Sequence, residues 1–218
     1  MLATPERVTG SPASRAEQEV ARTTAAADRE EIRSVLAEWA LCRDTGRFER
    51  LRELFAPGAT IQTTWFDGTA DEFVNRSEAS FGGAVRAHHF IGASSIDLHV
   101  DRAIADTRVM LQLRVTVNDV LADITCYGRF FDFFIKQGMA WRIRKRIPVY
   151  DKDRIDAVDS SKPVVIDAAL LAAFPAGFRH VAYVQALGGA TVPKGLIEPG
   201  STEEQRLYEE GSRWLMQD

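Results

Sequence analysis

Two of the four histidines in this 218-residue chain stand side by side, in the stretch RAHHFIG at 86–92. Neighbouring side chains of an extended segment leave opposite faces, so one of His88 and His89 points inward and the other points away. His89 shares its face with Ile91 and His88 with Phe90, so the apolar pattern alone does not choose between them. An inward imidazole oriented by a carboxylate is suited to general-base catalysis near neutral pH. Asp44 is the candidate carboxylate. It closes a helical stretch at Arg43, Asp44, Thr45 and Gly46, where a negative charge meets the negative end of the helix dipole and needs a compensating donor. The plainer reading of Asp44 is a turn residue ahead of Gly46. His99, beside a turn, and His180, in the C-terminal region, read as solvated.

Proton abstraction also needs a donor for the negative charge that develops on the substrate. Tyr127, on a central strand, is one candidate. Lys145 is another, because alternation puts it on one face with Trp141, Ile143 and Ile147. Arg144 has the opposite parity and would join the site only if its strand carries a bulge. Trp39, Trp65 and Phe130 belong to a set of rings that fills a core and also suits a flat hydrophobic ligand. No two histidines have the i, i+4 spacing of a helical metal site, and Cys42 and Cys126 form neither a disulfide framework nor a metal pair. The expectation is chemistry with no metal and no cofactor.

The elements that must hold these residues read as follows. Residues 1–26 form a loose tail, helical near its end. Asp28 and Glu31 fit a capped helix start, followed by Ile32, Val35, Leu36 and Trp39 at helical spacing and a stop at Gly46. Phe48, Leu51, Leu54 and Phe55 predict a second short helix ended by Pro57. A strand over 59–66 and a helix over 69–81 precede four strands, at 86–100, 104–117, 121–136 and 141–149, joined by tight turns. That pattern is α+β: a cone-like, curved antiparallel meander with N-terminal helices packed on one face, spanning 27–150. Residues 151–218 carry three short helical patterns, at 168–174, 178–187 and 203–215, and are too few for a separate core. This extension is expected over the sheet, over the cavity mouth or against a neighbouring subunit. Apolar rows on the outer sheet face imply a homodimer or homotrimer.

A formal charge of −4 and a pI near 5.7 leave no electrostatic footprint for nucleic acid or an anionic membrane. The basic residues between Arg142 and Arg146 alternate with Ile143 and read as one face of a strand. No stretch has the apolar run of a signal peptide or a membrane span, so a cytoplasmic protein is expected.

Two motifs carry a family resemblance. The passage RDTGRFERLRELFAP at 43–57, followed by a strand, and HFIG at 89–92 resemble the SnoaL-like group of the nuclear transport factor 2-like superfamily. Its scytalone dehydratase and hexachlorocyclohexane dehydrochlorinase branches are the most similar, and the pieces Gly128–Phe130 and Trp141–Ile143 fit the closing hairpin of that fold. The resemblance implies that His89 is the inward histidine, that Asp44 is its partner, and that the two form a catalytic dyad in a cone-shaped cavity. It further implies a cofactor-independent lyase for a small hydrophobic, aromatic and lignin-type substrate, expelling water, halide or an aldehyde such as formaldehyde. Isomerisation, polyketide-type cyclisation, or a non-catalytic role like that of a dioxygenase small subunit are the alternatives the same fold offers. The sequence departs from scytalone dehydratase where Arg43 replaces a tyrosine before the aspartate, at Thr63 and Thr64, and near Val117, where a second histidine is missing. Scytalone itself is therefore not the expected substrate.

Overall fold

Ser14 opens the first helix, α1 (Arg15–Thr45). Its hydroxyl accepts from the Glu17 N–H at 3.3 Å while the Glu17 carboxylate accepts from the Ser14 N–H at 2.6 Å, a reciprocal cap. This computed structural model describes residues 14–83 and 85–217. The helix thus starts within the stretch expected as a tail; the part of that tail before Ser14 lies outside the described residues. Asp28 is consequently not a cap. It accepts from Lys136 Nζ at 2.6 Å and Trp141 Nε1 at 2.9 Å, and Glu31 accepts from the Trp141 N–H at 3.0 Å. These carboxylates tie the middle of α1 to the last hairpin. Gly46 closes the helix in the left-handed region (φ 75°), which glycine adopts without strain, and a Cβ there would lie 2.6 Å from the Phe81 ring.

The chain continues as α2 (Phe48–Glu53), β1 (Phe55–Gln62), β2 (Asp67–Thr69) and α3 (Ala70–Ala79). Four long strands follow: β3 (Arg86–His99), β4 (Arg102–Val117), β5 (Val120–Gln137) and β6 (Ala140–Ala157). Pro57 does not end a helix, as expected, but lies inside β1, where the pairing with β6 is interrupted between Phe55 and Thr60. The six strands lie in the order β2-β1-β6-β5-β4-β3. Since β1 returns along the free edge of β6 in the same direction, the sheet is mixed rather than wholly antiparallel.

Alternation divides the side chains cleanly. Odd positions of β4 and even positions of β5 line the concave face, where Ala103, Ala105, Phe130 and Phe134 pack beneath Ile32, Leu36 and Trp39 of α1. Farther along the same face, Leu113, Val115, Ile124 and Cys126 meet α5 (Arg179–Leu187) through Val181, Ala182 and Tyr183. The opposite parity, Ile104, Phe131 and Phe133, lies on the convex face under Leu207 and Trp214 of α6 (Thr202–Leu215). With the short α4 (Ala168–Ala172) between β6 and α5, the extension covers both faces of the sheet. The fold is α+β: a curved open sheet with helices at both ends of the chain packed on it.

Candidate active site

Asp44 and His89 meet inside the cone. The carboxylate uses both oxygens: Oδ2 accepts from the His89 backbone N–H at 2.6 Å, and Oδ1 lies 2.7 Å from Nδ1. β3 is an edge strand, so the donor that satisfies Asp44 through the backbone is one the sheet leaves unpaired. Those two contacts offset the dipole penalty noted for a carboxylate at this helix end. With Nδ1–H donating to Asp44, Nε2 is the basic nitrogen of the ring. Both side chains are nearly enclosed, 11% and 12% exposed. Trp39 stands edge-on to the imidazole with ring centroids 5.1 Å apart, which fixes its plane. His88 leaves the opposite face and is exposed.

The dyad opens on a cavity of about 1320 Å³. Trp39, Trp65, Phe73 and Phe130 line it. Trp65 and Phe73 are tilted against each other at 5.4 Å. Tyr127, Lys145 and Arg144 are not part of it. Tyr127 has odd parity on β5 and lies on the convex side, with Lys152 Nζ 5.2 Å above its ring. Lys145 pairs with Glu210 of α6 at 2.7 Å, and the Arg144 guanidinium donates to the Gly58 carbonyl. The reason is a bulge. Phe133 pairs with Lys145 and Phe134 with Ile143, so Arg144 is an extra residue that resets the alternation of β6.

After the reset, Arg146 is the cation that faces inward. Its guanidinium is fully buried, 4.2 Å from the ring centroids of both Trp39 and Phe130. Nε and Nη2 donate to Asp132 at 2.7 and 2.8 Å, while Nη1 has no acceptor among the described residues. Burial raises the Asp132 carboxyl and the adjoining Arg146 charge works against that rise. A lone acid inside the run Phe130, Phe131, Asp132, Phe133, Phe134 was the sequence signal for such a partner, because a buried carboxylate demands a cation. Arg43 also borders the cavity, 6.0 Å from the Phe73 ring centroid, and burial lowers its pKa.

Cys126 lines the cavity as well, but burial first and the charge of Asp153 second push its thiol up, away from the thiolate form that nucleophilic attack needs. His180, expected in solvent, is instead held by Asp153, with Nδ1 at 2.8 Å and the backbone N–H at 2.7 Å. That carboxylate also accepts from the Val181 N–H and so caps the start of α5. Among the described residues no cluster of three or more His, Cys, Asp or Glu side chains is arranged to hold a metal ion.

The cavity thus lies between the curved sheet and its helices, with His89 on the edge strand. The chain belongs to the SnoaL-like domain family, whose model matches residues 24–147. Pea pathogenicity protein 2 of Fusarium vanettenii is 29% identical over 163 residues, covering 73% of this chain and 70% of that protein. A PEP2-like protein of the same fungus is 25% identical, covering 86% of this chain and 85% of its own length. Among solved structures, a candidate scytalone dehydratase from Novosphingobium aromaticivorans superposes with a TM-score of 0.55 at 19% identity, covering 67% of this chain and 99% of that one. A type 2 hexachlorocyclohexane dehydrochlorinase gives a TM-score of 0.55 at 12% identity, covering 65% of this chain and 97% of that one. At such identities the structural likeness concerns the fold.

Proposed function

We propose that this protein is a cofactor-independent lyase acting on a small hydrophobic, largely aromatic molecule. His89 Nε2 removes a proton from the bound substrate, and Asp44 keeps the imidazole in the required tautomer and stabilises its protonated form. A leaving group (water, halide or an aldehyde fragment) departs from the neighbouring carbon. Arg146, a buried cation bordering the cavity, supplies the positive field best suited to the charge that develops on the substrate or its leaving group. The observation that carries this reading is the two-point clamp of Asp44 on His89 beside a cavity lined by aromatic rings. A purely ligand-holding domain has no need of a carboxylate that orients an imidazole in this way. The dehydratase and dehydrochlorinase names among the fold neighbours support the reaction class.

The test is a turnover screen of hydroxylated and halogenated aromatic substrates with wild type and His89→Ala. The variant is expected to lose about two to four powers of ten in rate. Equal turnover by both proteins removes the base assignment. Product analysis separates elimination from isomerisation or cyclisation.

A further inference from the structure

Four arginines border the cavity, and three of them are directed elsewhere. Arg146 is paired with Asp132, and Arg129 with Asp106 and Glu204. Arg86 leaves β3 on the opposite face, like His88, and is exposed. Arg43 is the fourth. It follows Trp39 by four residues on α1, so both side chains share the face that the helix turns to the cavity.

The half-buried Arg43 guanidinium makes no hydrogen bond and no ion pair among the described residues. None of its nitrogens is sealed from solvent, in contrast to Nη1 of Arg146. Burial lowers its pKa, and the charge of the adjoining Asp44 works against that fall. Asp44 is the one carboxylate among the described residues that border the cavity, and His89 engages both its oxygens. A guanidinium nonetheless keeps its proton at such a place. Arg43 thus brings a partly dehydrated cation with a fork of N–H donors, and no acceptor of the protein meets it. Such a group is destabilising until an anion arrives. The wall beside it is aromatic. Phe73, 6.0 Å from the guanidinium, is stacked on Trp39 at 6.3 Å and tilted against Trp65 at 5.4 Å. A carboxylate on a flat ring fits both features, since its two oxygens match the guanidinium fork. A doubly charged phosphate would call for a second unpaired cation on this face, which the described lining does not offer.

We propose that Arg43 is the anion-binding specificity residue of this cavity, taking the carboxylate of an aromatic acid whose ring lies against Phe73 and Trp65. Only the statement that such an acid is the reacting substrate rests on the lyase reading; the ion pair is a matter of binding. The probes are naphthoate and its uncharged amide, titrated calorimetrically near neutral pH. One charge-assisted pair predicts that wild type binds naphthoate about tenfold to a hundredfold more tightly than the amide. Arg43→Met and Arg43→Gln both remove the charge and are expected to erase that preference; thermal melts verify folding, and either variant suffices if the other fails to fold. His89→Ala is expected to keep the preference. Equal affinity for the two probes in wild type, or a preference that survives in a folded Arg43 variant, overturns the proposal. So does its loss in folded His89→Ala, which would assign the anion to the imidazole. A preference that depends on Arg43, in a protein whose turnover is indifferent to His89→Ala, upholds the anion site while the lyase reading falls.

Discussion

At the scale of single residues, the dyad is a way of placing a carboxylate where a helix disfavours one. The Asp44 charge is offset by two donors from one residue, His89, and loss of the charge removes the stabilisation of a protonated imidazole while leaving the contacts in reach. Asp44→Asn is therefore expected to lower kcat by on the order of a hundredfold or more with little change in melting temperature. Unchanged kinetics would return Asp44 to the role of a turn residue. Arg146 has a second duty, since it neutralises Asp132 in a site from which water is excluded. Arg146→Met strands that carboxylate and is expected to destabilise by about 3–5 kcal/mol. Adding Asp132→Leu removes the stranded charge, so denaturant melts of the double variant should recover much of the loss while turnover stays low. Recovery of both would deny Arg146 any part in the chemistry.

Among the elements, β6 and α6 decide most. The extra residue at Arg144 turns the basic run of β6 over, exchanging Lys145 for Arg146 on the concave face. Alternation is legible in a sequence, but a bulge is set by what the neighbouring strands require, here the broken pairing of β1 opposite the same point. α6 lies so close to the sheet that a Cβ at Gly211 would stand 2.7 Å from the Phe131 ring. Gly211→Val is expected to lower the melting temperature, although glycine is the poorer helix former, because the buried ring has nowhere to go. Glu204 anchors the other end of α6. Burial alone would raise its carboxyl, yet the Gly200 N–H and the Arg129 guanidinium hold it below the ordinary glutamate range. A depressed carboxyl stabilises above its unfolded value and loses that contribution as pH falls. Denaturant midpoints should hold to about pH 5 and drop below about pH 4, with a shallower acid limb in Glu204→Gln.

For the whole molecule, the extension is the addition that shapes both faces. The apolar rows that led to the expectation of an oligomer include Phe131 and Phe133, and α6 covers them within the same chain. Truncation after Pro199 should expose them together with Ile104, and sedimentation velocity is expected to show association absent from the full chain; a truncated protein that sediments like the full chain would mean that α6 covers nothing of consequence. The curved-sheet fold was legible because its determinants are local. Helical spacing at Ile32, Leu36 and Trp39, alternation from Leu111 to Val117, and a glycine suited to the left-handed close of α1 each depend on a few adjacent residues. The motifs that led to Asp44 and His89 are local in the same sense. What only the tertiary structure decided are the features made by elements distant in the chain. The cation inside the cone depends on strand pairing across a bulge, His180 is held by a carboxylate on β6, and the far wall of the cavity is built by a helix packed on strands far back in the sequence. Side-chain direction and burial there follow from long-range packing, which no short window of sequence contains.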